Sequence, residues 1–275
     1  MQTPAVRRPA VAGRFYPGKP EVLTQQLDQF LAAGSPAPAK TETAMGCMVP
    51  HAGYMYSGSV AGAVFQRLPK RARYIILCPN HTRRGAPLAI MSKGEWQTPL
   101  GNVRVDSELA ASLQHSCRLL MEDSKAHESE HAIEVEIPFL QRSVGEFSFV
   151  PIAIGVSRYA ALEALGHGMA EALKGSADKV MIVASSDMNH YEPDDVTRIK
   201  DHKAIDKLLA LDPAGLYEVV REEDISMCGY GPAVAMLTAV KDLGATKAEL
   251  ARYATSAETS GDYSAVVGYA GMVIS

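Results

Sequence analysis

Short apolar segments alternate with longer amphipathic segments along most of this sequence. Continuous apolar runs predict buried strands at 44–49, 74–78, 149–154, 180–184 and 266–274. Apolar residues at helical spacing predict helices at 21–31, 59–68, 107–114, 160–173, 197–209, 213–220 and 231–243. Because strands and helices alternate, the pattern predicts an α/β protein whose sheet is covered by helices on both faces.

Two segments interrupt this pattern. Residues 32–43, rich in Ala, Pro, Ser and Gly, predict a loop that separates a short N-terminal unit from the rest of the chain. Residues 133–137 alternate between apolar and polar as a strand would, but a helix that ends before Pro138 fits the same residues. The hydrophobic pattern leaves both structures open for this segment.

A histidine follows three of the predicted strands. His51 comes two residues after the first strand, His81 three residues after the second, and Asp187 and His190 shortly after the fourth. In open α/β sheets, ligands bind outside the carboxyl ends of the strands. The sequence therefore predicts a functional site built by these loops.

Each of these residues has a chemical and a structural interpretation. His51 and His81 are suited to bind Fe, Cu, Zn or Ni as neutral imidazoles, or they are loop histidines bonded to backbone carbonyls. If their loop turns into a helix, Asp187 and His190 share a face, and the carboxylate orients a general base. Otherwise the segment 185–187 caps a helix and His190 is exposed.

Cys228 precedes the predicted helix 231–243. A thiol near a helix N-terminus has a stabilised thiolate, which predicts a nucleophile or a metal ligand. The alternative is a small buried hydrophobic residue, the role that the sequence favours for Cys47, Cys78 and Cys117.

The segment from His127 to His131 matches the HExxH zinc-binding pattern. That pattern requires a helix, which brings both imidazoles onto one face. Because Glu and His are also common on solvated faces, the sequence favours another interpretation, in which His131 and Glu134 line a different site.

Composition narrows the class of protein. The 275 residues carry a formal net charge of -4, and this balance gives no indication of binding to nucleic acid or to a membrane surface. The N-terminus has no apolar run of signal-peptide length, and no segment approaches the roughly 18 apolar residues that cross a bilayer. Four cysteines without paired spacing predict reduced thiols. We therefore expect a cytoplasmic protein without a phosphate loop or a serine-hydrolase elbow.

Seven segments resemble the signatures of the Memo family. In chain order they are PAVAGRFYP (9–17), VPHAGYMYSG (49–58), PNH (79–81), WQTPLG (96–101), EHAIE (130–134), SSDMNHY (185–191) and CG (228–229). Cys78 stands where the family usually has Gly, and Ala132 stands where it usually has Ser.

The resemblance implies one domain over residues 1–275, a three-layer αβα fold with a central mixed, mostly buried sheet, related to class III extradiol dioxygenases. In those non-haem Fe(II) enzymes, two histidines and a carboxylate hold the metal. Carried over by motif, His51 and His81 would be metal ligands and Cys228 would replace the carboxylate. A thiolate makes the site softer, which favours Cu(I), Zn or iron.

The resemblance also implies roles around the metal. Asp187 and His190 would line the pocket, with His190 as the acid/base, and His131 and Tyr54 would be further pocket residues. The expected cofactor is Fe(II) or Cu. Prokaryotic relatives often accompany an AMMECR-type protein and a radical SAM protein, the AmmeMemoRadiSam set, so these are the expected partners.

Three functions are compatible with these residues. The first is a metal-dependent oxidoreductase, resembling a dioxygenase, that acts on a small aromatic substrate. The second is a non-enzymatic metal-binding or phosphopeptide-binding adaptor that uses the same pocket. The third is metal-free cysteine chemistry, with Cys228 as nucleophile and His190 as base.

Overall fold

The computed structural model describes residues 5–32 and 39–275. In the described residues the strands are β1 (Val6–Arg7), β2 (Gly46–Val49), β3 (Arg73–Pro79), β4 (Leu88–Ile90), β5 (Glu95–Thr98), β6 (Gly101–Val105), β7 (Met121–Glu122), β8 (Ser148–Ile154), β9 (Val180–Ser185), β10 (His190–Glu192), β11 (Ala248–Thr255) and β12 (Val266–Ile274). The helices are α1 (Pro20–Ala32), α2 (Tyr54–Phe65), α3 (Ser107–Ser116), α4 (Ala132–Ser143), α5 (Tyr159–Ala172), α6 (Asp194–Leu209), α7 (Pro213–Glu222), α8 (Tyr230–Asp242) and α9 (Ala257–Ser260).

The strands form one mixed sheet in the order β1-β5-β6-β8-β3-β9-β2-β12-β10. Its centre, from β6 through β8, β3 and β9 to β2, is parallel. Antiparallel pairs flank this centre, since β5 pairs with β6 on one side and β12 pairs with β2 on the other. Outside this order, β11 pairs with β12, and β4 joins β8 to β7.

Alternate residues of the central strands face two separate hydrophobic cores. In β3, Tyr74 and Ile76 pack into a core that includes Val64 of α2, whereas Ile75 and Leu77 pack on the opposite side of the sheet. This second core is shared with the helices α3, α5, α7 and α8. The period of two along each strand therefore distributes side chains to both faces, which gives the three-layer αβα architecture.

The predicted central elements are confirmed. The five predicted strands coincide with β2, β3, β8, β9 and β12, and the seven predicted helices coincide with α1, α2, α3, α5, α6, α7 and α8. The strands β4, β5, β6, β7, β10 and β11 are not among the predictions, because they are short or carry polar residues that hide the strand signal.

The ambiguous segment before Pro138 is a helix, and it does not end there. Helix α4 continues through Pro138 to Ser143. Proline in a helix interior removes a backbone hydrogen bond, but burial of apolar side chains such as Ile137 and Phe139 stabilises the continuous helix.

The predicted loop at 32–43 falls largely outside the described residues, which stop at residue 32 and resume at residue 39. Among the described residues, none of the helices combines the length and the apolar composition that crossing a bilayer requires.

Candidate metal centre

Three neighbouring strands deliver the site residues to one edge of the sheet. β9 lies between β3 and β2, and both pairings are parallel, so the carboxyl ends of all three strands lie side by side. His51 follows β2, His81 follows β3, and Asp187 follows β9. The sequence prediction that these loops meet is thereby confirmed at the level of topology.

Cys228 reaches the same edge from the loop that precedes α8. Its neighbour Gly229 donates its backbone N–H to Ser186 Oγ at 3.0 Å. A Cβ atom at Gly229 would lie 2.3 Å from the Ser185 carbonyl oxygen, so a residue with a side chain cannot fit without moving the backbone. The glycine therefore allows the Cys228 loop to approach the end of β9 closely.

The donor atoms of His51, His81 and Cys228 converge. One ligand atom from each residue lies within 4.8 Å of the other two. His51 Nε2 is 3.3 Å from Cys228 Sγ, and the rings of His51 and His81 are 5.1 Å apart between centroids. Two imidazole nitrogens and one sulfur at these separations fit an ion such as Fe, Cu or Zn, with open positions for further ligands.

A buried carboxylate orients His81. His81 Nδ1 is 2.9 Å from Glu130 Oε1, and the His81 backbone N–H donates to Glu130 Oε2 at 2.7 Å. Because the carboxylate accepts the proton on Nδ1, Nε2 keeps a free lone pair. Burial lowers the pKa of His81, but the hydrogen bond and the charge of Glu130 outweigh burial and raise it above its ordinary value.

His131 lies beside His81 and near the same oxygen of Glu130, with 3.5 Å between His131 Nδ1 and Glu130 Oε1. Its ring stacks on His81 with 4.8 Å between centroids, and His131, His81 and Glu130 form a second group of donor atoms within 4.8 Å. Glu130 Oε1 also accepts the backbone N–H of Ala132 at 3.1 Å. Since hydrogen bonds already occupy this carboxylate, the geometry favours an orienting role for Glu130 over a second metal.

His51 is the most deeply buried of the site histidines, with an exposed fraction of 2%. Burial, followed by the neighbouring His81, His131 and His190, holds the pKa of His51 well below its usual range. Its ring is therefore neutral at physiological pH, the form in which imidazole binds metals. Its Nδ1 lies 2.8 Å from Ser185 Oγ.

Asp187 does not pair with His190, so the first of the two alternatives that the sequence left open for them is wrong. The segment between them is not helical, and Asp187 instead accepts the backbone N–H of His51 at 2.7 Å. His190 Nδ1 lies 2.9 Å from the carbonyl oxygen of Ser226. Both residues line the cavity, but the imidazole–carboxylate pair of the site is His81–Glu130, because β10 turns His190 away towards the Ser226 loop.

Burial raises the pKa of two acid groups of the site, the Asp187 carboxyl group and the Cys228 thiol. Burial raises the pKa of Asp187 to about 7, although hydrogen bonds from the backbone of His51 and Ala52 oppose this shift. Burial also raises the pKa of the Cys228 thiol well above its usual range. Without a bound cation, the thiol before α8 is therefore the protonated form at neutral pH, because desolvation, followed by the charge of Asp187, raises its pKa.

This finding counts against metal-free cysteine chemistry. That hypothesis requires a thiolate next to His190 as base, but the imidazole next to Cys228 is that of His51. A bound cation would supply the positive charge that stabilises the thiolate.

Tyr54 does not lie in the pocket, contrary to the expectation from the family signature. Its side chain is 2% exposed, and its hydroxyl donates to the carbonyl oxygen of Val135 at 2.7 Å. The ring packs against Tyr16 and Phe139. Tyr54 begins α2, and the direction of that helix sends its side chain into the core beneath the site.

The HExxH alternative is excluded. Residues 127–131 are not helical, because α4 begins at Ala132. His127 is fully buried beside Trp96, with 5.7 Å between ring centroids. The structure thus separates His127 from His131, which lies with His81 at the site.

A cavity of about 500 Å³ opens at the donor atoms. Besides the site residues, Phe15, Tyr191 and Tyr269 line it, and these aromatic residues were not among the sequence candidates. Tyr191 has a φ of 61°, in the left-handed region, and both it and the adjacent His190 line the cavity. Neighbouring residues of a regular strand face opposite sides, so this unusual backbone conformation is what gives both side chains access to the cavity.

Comparisons with known proteins agree with the sequence signatures. The family model described as "Memo-like protein" matches residues 7–273. The chain is 42% identical to the MEMO1 family protein MK0963 of Methanopyrus kandleri, over 97% of this chain and 98% of that protein. It is 43% identical to the MEMO1 family protein Mbar_A1422 of Methanosarcina barkeri, over 98% of this chain and 100% of that protein.

A solved structure shares the fold. The uncharacterized protein JW3007 of Escherichia coli K12 superposes with a TM-score of 0.56 at 14% sequence identity, over 83% of this chain and 98% of that chain. At this identity the likeness concerns the fold alone.

Proposed function

Because this chain belongs to the Memo-like protein family, we propose that it binds iron or copper at His51, His81 and Cys228 and acts as a metal-dependent oxidoreductase on a small aromatic molecule. The observation that carries this proposal is the convergence of two imidazole nitrogens and one sulfur beside the 500 Å³ cavity. The bound ion would supply the redox chemistry.

The residues around the donor atoms support proton transfer. The carbonyl of Ser226 can only accept, so Nδ1 of His190 carries a proton and Nε2 is left free to accept one. Asp187, with its pKa raised by burial to about 7, can hold or release a proton at neutral pH. His190 is therefore the proposed acid/base and Asp187 a second proton site.

The cavity wall supports an aromatic substrate. The rings of Phe15, Tyr191 and Tyr269 line the cavity together with its polar residues, and they offer a planar molecule an aromatic surface to pack against. A hydroxyl group on that molecule would meet the imidazoles and the carboxyl group, which serve as hydrogen-bond partners.

Metal analysis after anaerobic purification tests the metal site. We expect near-stoichiometric iron or copper in the wild type and its loss from each of His51→Ala, His81→Ala and Cys228→Ser. His115→Ala is the matched control, because His115 is an exposed residue at the end of α3. Absence of metal from the wild type, even after reconstitution with Fe(II) and with Cu(I), would overturn the proposed function.

An oxygen-consumption assay with catechols tests the reaction. We expect His190→Ala to keep the metal and lose turnover, since His190 serves as acid/base without being a ligand. Equal turnover in this variant and the wild type would remove His190 from the mechanism.

The exposed rim of the cavity favours one second candidate. Tyr191 is 78% exposed, so the cavity presents an aromatic surface to macromolecules as well as to small ones. The alternative function is a metal-binding or phosphopeptide-binding adaptor. It predicts that a bound partner is retained after chelation of the metal and lost from Tyr191→Ala, whereas the oxidoreductase loses its activity on chelation.

A further inference from the structure

A carboxyl group lies buried behind the candidate metal centre without touching the cavity. Glu136 of α4 has an exposed fraction of 0%, and the residues that line the cavity do not include it. Burying a carboxyl group is costly unless its hydrogen bonds are satisfied. The hydrogen bonds that Glu136 forms are therefore important for keeping it in this position.

Glu136 is connected to His51 through one hydroxyl group. Ser185 Oγ donates to Glu136 Oε1 at 2.9 Å, and the same oxygen lies 2.8 Å from His51 Nδ1. The three residues come from α4, from the last position of β9 and from the loop after β2. This chain of hydrogen bonds leads to the His51 ring, whose Nε2 atom lies 3.3 Å from Cys228 Sγ.

We propose that Glu136 is a positioning residue, which acts through Ser185 to keep the proton of His51 on Nδ1 and the lone pair on Nε2. Because the Ser185 hydroxyl uses its single hydrogen towards Glu136, its lone pairs face His51, and Nδ1 must donate. This inference rests on the proposed function in so far as Nε2 is the metal-binding atom. The Glu130–His81 pair performs the same task without an intermediate.

The direction of these hydrogen bonds is the same for ionised Glu136 and for the neutral acid with its proton on Oε2. Burial raises the pKa of this carboxyl group well above its usual range. Within the described residues, Oε2 has no hydrogen-bond partner, so a proton on the acid can reside there and leave Oε1 as an acceptor. The other acceptor near Ser185 Oγ is the carbonyl of Ala132, at the longer distance of 3.4 Å.

Substitutions of the hydrogen-bonded residues distinguish a positioning role of Glu136 from a role in packing alone. Ser185→Ala removes the hydroxyl group, and Glu136→Met removes the acceptor while filling its volume. Glu136→Gln retains an oxygen acceptor and is the conservative rescue. Thr238→Val is the matched control, because this buried hydroxyl bonds to its own helix α8 at Val234 and lies outside the chain.

The decisive measurement is the tautomer of His51 in the metal-free protein. Two-bond 1H–15N correlation spectra of protein labelled at histidine report which ring nitrogen carries the proton, and a His51→Gln spectrum assigns the signal. We expect the Nδ1–H form in the wild type, Glu136→Gln and Thr238→Val. We expect Ser185→Ala and Glu136→Met to lose this preference. Circular dichroism establishes that each variant is folded. If Glu136→Met does not fold, Ser185→Ala, which breaks the connection between Glu136 and His51, provides the test.

Metal affinity gives a second readout by competition with a chelator. Ser185→Ala should weaken binding of Fe(II) or Cu(I) by about 10- to 100-fold, the range found for partners of metal-binding histidines. A wild type in the Nε2–H form, or an unchanged Nδ1–H preference in Ser185→Ala or in folded Glu136→Met, would overturn the inference. Failure of the wild type to bind metal refutes the proposed function instead, because the tautomer is measured without metal.

Discussion

At the scale of single residues, the carboxyl group of Asp201 shows how a residue outside the cavity holds the site. Asp201 Oδ1 accepts the backbone N–H of Asn189 at 2.8 Å, and Oδ2 accepts the hydroxyl of Tyr253 at 2.7 Å. The Asn189 side chain in turn accepts the backbone N–H of Ser226 at 3.0 Å. These bonds hold the segment that leads into His190 against the loop that contains Ser226.

This carboxyl group makes the stability of the protein depend on pH. Burial raises the pKa of Asp201 from 3.8 to about 7, against the opposing hydrogen bonds and the charges of His202 and Arg198. Between about pH 4 and pH 7 the folded state binds more protons at this group than the unfolded state, so its contribution to stability falls as pH rises. At 1.36 kcal/mol per pKa unit, the loss is roughly 4 kcal/mol.

Urea unfolding of the wild type and Asp201→Asn from pH 4 to pH 8 tests this prediction. Relative to the variant, the wild type should lose stability as pH rises through this window, because Asn cannot ionise. The comparison cancels Asp187, which titrates in the same range in both proteins. A pH-independent difference between the two would show that Asp201 does not titrate there.

At the scale of elements, Glu134 of α4 anchors the N-terminal segment. Its carboxylate accepts the backbone N–H groups of Ala10 and Val11, at 2.7 and 3.0 Å, and the hydroxyl of Tyr16 at 2.7 Å. Arg7 of β1 forms a buried ion pair with the same carboxylate and donates to the carbonyl of Glu130 at 2.6 Å. The N-terminal segment thereby supports the start of α4, which follows the site residues Glu130 and His131.

Removing Arg7 should destabilise the protein strongly. Arg7→Met leaves the Glu134 charge buried without its partner, and we expect a loss of about 3–5 kcal/mol in the free energy of unfolding, measured in urea. Arg14→Met is the control, because Arg14 is an exposed residue of the same segment. Its cost should stay within about 0.5 kcal/mol. Similar costs for both variants would mean that the buried pair has no special role.

At the scale of the whole molecule, the three candidate ligands come from positions 51, 81 and 228, which only the folded chain brings together. An ion that binds them binds the native state and not the unfolded chain. Metal binding should therefore stabilise the entire fold by mass action.

This stabilisation is measurable without a substrate. At free Fe(II) or Cu(I) about 100-fold above Kd, the free energy of unfolding should rise by about 2.7 kcal/mol. Cys228→Ser should show a smaller rise at the same metal concentration, since its binding is weaker. An equal rise in both proteins would indicate binding elsewhere on the chain.

Local patterns in the sequence were sufficient for the strands β2, β3, β8, β9 and β12, though not for β6, and for the residues that carry chemistry. Buried strands and amphipathic helices leave a periodic signal, because their side chains repeat with a period of 2 or 3.6 residues. The short signatures around His51, His81 and Cys228 likewise indicated the family and the candidate donor atoms. The polar edge strand β11 left no such signal.

Tertiary structure alone decided which of those residues meet. The order β3-β9-β2 brings His51 and His81 to one edge of the sheet, where their rings meet across the end of β9, and Gly229 lets Cys228 approach them. The tertiary structure also places Tyr54 in the core and keeps Asp187 apart from His190. It connects Glu136 to His51 through Ser185. The physical reason is that these contacts depend on strand order and helix direction, which residues far apart in sequence set jointly through packing.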